Sequence, residues 1–110
     1  MKIGVLSEGD ELSSYVSDDF GHAPYFLIVD YDTLDYTVIK NEFMNTEGAG
    51  MKVADAIVSL GVDAVITGGI GSHGYDILTK AGIRVSYDED GTVEECINAF
   101  KRRYERDKGL

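Results

Sequence analysis

The sequence predicts an α/β fold: a five-stranded mixed sheet in the order 3-2-1-4-5, its second strand antiparallel, with helices packed on both faces. Three observations carry this. Five short apolar runs rich in β-branched residues recur along the 110-residue chain. The first three follow one another with no helical stripe between them, and the last two each lie between stretches whose apolar residues repeat at helical spacing. Glycines stand where those helical stretches must stop.

Taken in order, KIGVL (2–6) is a fully apolar run, as expected of a strand buried on both faces. YFLIVDY (25–31) and YTVIKN (36–41) are joined by Asp32-Thr33-Leu34-Asp35, a polar tight connection, and read as a β-hairpin. From Gly50 to Leu60 the residues Val53, Ala54, Ile57, Val58 and Leu60 mark one helical face, ended by Gly61. DAVIT (63–67) is a buried strand. Ser72 is placed to cap a helix running to Ala81 and closed by Gly82. IRVSY (83–87) is the last strand, and a final helix starts near Thr92 with Val93, Cys96, Ile97, Phe100 and Tyr104 on its stripe. The helices after the third and fourth strands require right-handed crossovers to parallel neighbours. Placing the first strand centrally, with the hairpin on one side and the later strands on the other, satisfies every connection. That arrangement is a ribonuclease H-like motif in one domain spanning residues 1–110.

Charge restricts the partners. There are 20 acids against 10 bases, and five of those bases (Lys101, Arg102, Arg103, Arg106, Lys108) lie at the end of the last helix, where cations suit the dipole. The remainder is strongly acidic and repels phosphate backbones, so nucleic acid is not an expected partner. Cys96 is the only cysteine, so neither an internal disulfide nor a thiolate cluster site is available to the chain alone. No apolar run reaches membrane-spanning length and MKIGVL is too short for a signal core, which points to a cytoplasmic protein that does not enter the membrane.

The chemistry concentrates at two glycine-flanked histidines. GGIGSHG (68–74) holds His73 and DDFGHAPYF (18–26) holds His22. Ligands of open α/β sheets bind beyond the carboxyl ends of parallel strands, where neighbouring connections diverge. In the expected topology, the loops holding His22 and His73 and the segment MNTEGAG (44–50) all arrive at that rim. Gly69, Gly71 and Ser72 on one side, and Gly48 and Gly50 on the other, bring main-chain N–H groups at two helix starts toward a ligand, favouring an anion. Phe20, Gly21, His22 and His73 complete the expected binding set, with Glu47 and Asn45 bordering it, and the two histidines are the candidate metal ligands. Each histidine also has a purely structural reading: His73 as a surface residue of a first helical turn, His22 as a brace for its loop. Asp18 and Asp19 either orient a ligand or form an exposed acidic loop.

Gly69-x-Gly71-x-x-Gly74 with Asp88 downstream mimics a dinucleotide fingerprint, but such a fingerprint belongs on the first strand of a βαβαβ half. Here only one strand follows it, so no nucleotide cofactor is expected. Metal-dependent nuclease chemistry needs carboxylates on the central strands, and KIGVL has none. No nucleophile–base–acid order or phosphate-binding loop stands out, and the chain is read as a non-enzyme.

VSDDFGHAPYFLIVD (16–30), GAGMKVADAIVSLGVDAVITGGIG (48–71) and AGIRV (81–85) closely resemble the dinitrogenase iron–molybdenum cofactor biosynthesis family. Phe20-Gly21-His22-Ala23 and Gly61-Val62-Asp63 are the more specific matches, and the likeness runs from Met1 to about Phe100. The resemblance implies a ribonuclease H-like fold whose loops bind an anionic iron–sulfur or iron–molybdenum cluster transiently, with cofactor-assembly proteins as partners. Many members of the family carry a histidine before the Phe-Gly pair and an arginine after it, where this chain has Asp19 and His22. The expected function is a carrier of such a cluster or its precursor; the alternative is a regulatory module for a small anionic metabolite or a partner protein. Helix ends contribute about 0.3–1 kcal/mol each, against about 8 kcal/mol for a micromolar complex. Imidazole–metal bonds, or contacts from Tyr15, Phe20 and Met44, must therefore supply most of the affinity.

Overall fold

A computed structural model describes residues 1–108. Its strands are β1 (Lys2–Ser7), β2 (Tyr25–Asp30), β3 (Tyr36–Lys40), β4 (Ala64–Ile66) and β5 (Arg84–Ser86). Its helices are α1 (Ala49–Ser59), α2 (Ser72–Lys80) and α3 (Val93–Lys108). The sheet order is β3-β2-β1-β4-β5, antiparallel for β1–β2 and β2–β3 and parallel for β1–β4 and β4–β5. The expected topology is the observed one, with element ends shifted by one residue.

Side-chain alternation on the central strands divides the interior in two. Ile3, Val5, Leu27, Val29, Ala64 and Ile66 meet Val93, Cys96, Ile97 and Phe100 of α3 on one face. Leu6, Phe26 and Val65 meet Val53, Ala54 and Ile57 of α1 and Leu78 of α2 on the other. Since each fully buried aliphatic contributes about 1.5–3 kcal/mol, β1, apolar and buried from Ile3 to Leu6, anchors both layers. Its burial on two faces is why the run carries no polar alternation.

The hairpin turn is built by Asp30. Its Oδ1 accepts the backbone N–H groups of Asp32 (2.9 Å) and Thr33 (3.0 Å), while Leu34 takes φ 64°. Those two donors stabilise the charged carboxylate and hold its pKa below the usual value.

Candidate functional site

One short element in the long β1–β2 connection organises the rim. Phe20–His22 form a 3₁₀ turn. Asp19 caps it, accepting the Gly21 N–H through Oδ1 at 3.1 Å. Phe20 is buried and turns its ring toward Gly74 of α2, where a Cβ would lie 3.4 Å from the ring. Gly21 lies flat on the start of α1: a Cβ there would sit 2.9 Å from the Gly50 nitrogen. Only a residue without a Cβ allows that approach without displacing backbone. Buried Asn41, at the end of β3, ties the turn from behind, its Nδ2 donating to the carbonyls of Ala23 (2.8 Å) and Gly21 (3.3 Å).

The turn is fastened to the segment after β4 by main-chain bonds. Gly68 N–H donates to the Ser17 carbonyl (2.9 Å), Gly69 N–H to the Asp18 carbonyl (2.7 Å), and Phe20 N–H to the Gly69 carbonyl (2.9 Å). A Cβ at Gly68 would lie 2.5 Å from the Ser17 oxygen, and one at Gly69 2.9 Å from the Asp18 oxygen. This corrects the expectation for Gly69. Gly68 and Gly69 do not lend amides to a ligand, because both N–H groups are consumed in holding the loop that carries His22. Ser72 is likewise not the cap of α2. Gly71 is the N-cap, with no side-chain hydrogen bond, and Ser72 is the first helical residue.

A recess of about 370 Å³ opens between the 3₁₀ turn and the starts of α1 and α2. Of the expected binding residues, Phe20, Gly21, His22, Gly48, Gly50, Gly71, Ser72 and His73 line it. Glu47, Asn45 and Gly69 do not, nor do Tyr15 and Met44; Tyr15 is instead bridged to Thr92. Asp19, Met51 and Gly74 also line it and were not in the expected set. A larger, shallower hollow of about 720 Å³ lies at the opposite end of the sheet, lined by Met1, Asp63, Arg84 and Tyr104. It lacks the convergent helix starts, and ligand sites of open α/β sheets lie at the carboxyl ends of the strands, so the smaller recess is the candidate.

Apolar atoms make most of the recess wall, and the helix starts bring main-chain N–H groups to it. Gly48 begins α1 with φ 71°, Gly71 begins α2 in extended backbone, and neither has a side-chain cap. Among the described residues, no loop carbonyl or side chain takes the first amides of either helix. Two partial positive poles therefore face one cavity. His22 joins them through a fixed geometry, its Nδ1 lying 2.8 Å from Asp19 Oδ2, with both side chains exposed. His73 stands in the first turn of α2. No group of three His, Cys, Asp or Glu side chains among the described residues is arranged to hold a metal ion, so the recess offers at most two such side chains to one metal. Cys96 takes no part: it is buried under α3, its Sγ 3.5 Å from the Asp90 carbonyl, and burial pushes its pKa up to about 11. No helix among the described residues is long and apolar enough to cross a membrane.

The role of Asp19 had a local signal in the sequence. An Asp two residues before a glycine and three before a histidine can cap the turn with one oxygen and reach the ring with the other. Asn41 and the Ser17–Gly69 ladder gave no such signal, because their partners are remote in sequence.

Comparison with known proteins places this architecture. The chain belongs to the dinitrogenase iron–molybdenum cofactor family, whose sequence pattern matches residues 1–103. An uncharacterised protein of Methanocaldococcus jannaschii is 30% identical over 104 residues, covering 91% of this chain and 85% of the relative. Among solved structures, the apo form of the orange protein from Desulfovibrio gigas superposes with a TM-score of 0.86 at 30% identity, covering 93% of this chain and 88% of the other. A Thermotoga protein of the DUF35 family superposes at 0.77 with 38% identity, covering 92% and 87%.

Proposed function

We propose that this chain is a non-catalytic carrier that binds an iron–sulfur or iron–molybdenum-type cluster, or a precursor of one, in the recess between His22 and His73. The observation that supports it most is the convergence of two helix starts without side-chain caps and both histidines on a single cavity. An anionic cluster asks for that combination: N–H groups for its bridging sulfides and imidazole nitrogen for a peripheral metal. Family membership and the likeness to the orange protein, solved in an apo form, agree with a cluster as cargo. Cofactor-assembly proteins are the partners such a carrier would exchange with. Ligation by only two side chains suits transient holding, since a cargo protein must also release.

Each helix end contributes about 0.3–1 kcal/mol, so the imidazoles must provide most of the affinity. The test is anaerobic binding of iron–molybdenum cofactor or an iron–sulfur cluster to apo-protein, followed by its visible absorption, in wild type and in His22→Ala/His73→Ala. Binding should collapse in the double variant toward the weak level that two helix ends alone sustain, at about 0.3–1 kcal/mol each. Its melting temperature should stay unchanged, because both side chains are exposed. Equal binding by the two proteins would refute the ligation.

The unfilled helix starts also favour a second reading, a module for a small anionic metabolite that needs no metal. That reading requires phosphate or nucleotide compounds to raise the melting temperature by mass action without iron, equally in wild type and double variant.

A further inference from the structure

The carboxylate of Asp19 is shared between two donors of different kinds. Oδ1 accepts from the Gly21 backbone N–H at 3.1 Å, and Oδ2 lies 2.8 Å from His22 Nδ1. The main chain beneath it is also held. Asp19 N–H donates to Ser17 Oγ at 3.3 Å, Ser17 Oγ donates to the Asp19 carbonyl at 3.2 Å, and the neighbouring Phe20 N–H is bound to Gly69. The acid is thus fixed at its backbone and at one oxygen before it meets the histidine. A carboxylate accepts only, so a neutral imidazole bonded to it carries its proton on Nδ1. Nε2 then keeps its lone pair, and the described residues give it no hydrogen-bond partner. Both side chains line the recess.

We propose that Asp19 is a positioning residue for His22. It holds the imidazole as the Nδ1–H tautomer, so that Nε2 is the electron-pair donor offered to a metal in the recess. Carboxylates that orient metal-binding histidines act through this same bond. The inference rests on the carrier reading only for the identity of the metal-bearing ligand; the tautomer belongs to the protein alone.

Asp19→Asn separates orientation from folding. The Gly21 N–H still demands an acceptor, so the amide oxygen takes the place of Oδ1. The amide NH₂ then faces His22 Nδ1 as a donor, which forces the proton onto Nε2. An amide replacing a histidine-orienting carboxylate is known to impose the wrong tautomer in this way. The experiment is nitrogen-15 NMR of the imidazole rings in apo-protein at about pH 8.5, two units above the ordinary histidine pKa. His22→Ala assigns the signals. Cobalt(II) chloride is then titrated as the probe metal and followed through the His22 ring protons. Wild type should show protonated Nδ1, and Asp19→Asn protonated Nε2 with cobalt affinity at His22 about tenfold weaker. Asp19→Ala, which removes the bond without reversing it, should fall between the two. A wild-type ring protonated on Nε2, or an Asp19→Asn protein with the wild-type tautomer and cobalt affinity, overturns the proposal. If wild type shows the expected tautomer and cobalt binding but takes up no cluster, the carrier reading fails and the positioning role stands.

Discussion

The starts of α2 and α3 are built by opposite means. At α3, Thr92 and Glu95 form a reciprocal capping box: Glu95 Oε1 accepts the Thr92 N–H at 2.9 Å, and Thr92 Oγ1 accepts the Glu95 N–H at 3.1 Å. The two intervening amides are taken by loop carbonyls, Val93 N–H donating to Ser14 and Glu94 N–H to Leu12. Every early donor of α3 is thus used within the protein. At α2, a glycine stands at the N-cap, no side chain closes the end, and the first turn lines the recess. A helix start without internal partners must satisfy its amides with water or a ligand. The contrast indicates that exposed N–H groups at α1 and α2 are a local property of the rim, since the same chain closes α3 with ordinary residues.

Substitutions at the two starts can break that contrast. The largest effect is expected where the loop and the segment after β4 touch. Gly68→Ala puts a Cβ 2.5 Å from a main-chain oxygen of Ser17, which only a backbone shift can relieve. Stability should fall by about 1–3 kcal/mol in denaturant titration, and ligand binding should weaken because the loop carrying His22 is displaced. Unchanged stability would show that the ladder is softer than its geometry.

Thr92→Ala should cost about 1 kcal/mol of stability and leave binding in the recess untouched, as a purely structural cap requires. The same box predicts an acid sensitivity. Hydrogen bonds from Thr92 lower the Glu95 pKa below 4.5, so the unfolded chain binds this proton more readily than the folded one. The stabilisation is present above about pH 4.5 and is lost as pH falls through the lower folded value. Glu95→Gln should therefore flatten the fall of melting temperature on the acid side, which thermal melts across that range would read.

Gly71→Asp would convert the α2 start into one resembling α3. The position has extended φ and ψ, and a Cβ there would meet no neighbour within 4 Å, so the side chain is tolerated. Stability should rise by a few tenths of a kcal/mol, while anionic ligands bind less well to amides already taken by a carboxylate. A variant that gains stability and still binds as wild type would separate the helix start from the site. The smallest effect is expected at Cys96. Its burial and raised pKa should leave the native thiol almost inert to a disulfide reagent at neutral pH, with reaction following unfolding.

How far the sequence could be read depended on the range of each interaction. The strand order followed from short-range patterns: the apolar runs, the tight link after β2, and helices too long to return except by parallel crossovers. The stripe Val93, Cys96, Ile97, Phe100 located α3 and buried its cysteine for the same reason, because helical periodicity is written in consecutive residues. The rim was legible as an address. Strand polarity alone brought the histidine loops to one edge, and both histidines line one recess.

The contacts within that address were decided by tertiary structure. Ser72 looked like a cap and is the first helical residue. Gly69 looked like ligand-facing backbone and instead binds Asp18, as Gly68 beside it binds Ser17. Glu47 and Asn45 follow β3 toward the rim but do not line the recess. Local preference cannot tell these outcomes apart, because a glycine that approaches a ligand and one that approaches another loop meet the same demand for space. The sequence by itself determined the layers, the strand order and the edge where both histidines stand, since those follow from periodicity and chain direction. Which N–H groups remain unfilled depends on pairings between residues far apart in the chain, such as Gly68 with Ser17 and Gly69 with Asp18. Only the packed fold brings such partners within hydrogen-bond distance.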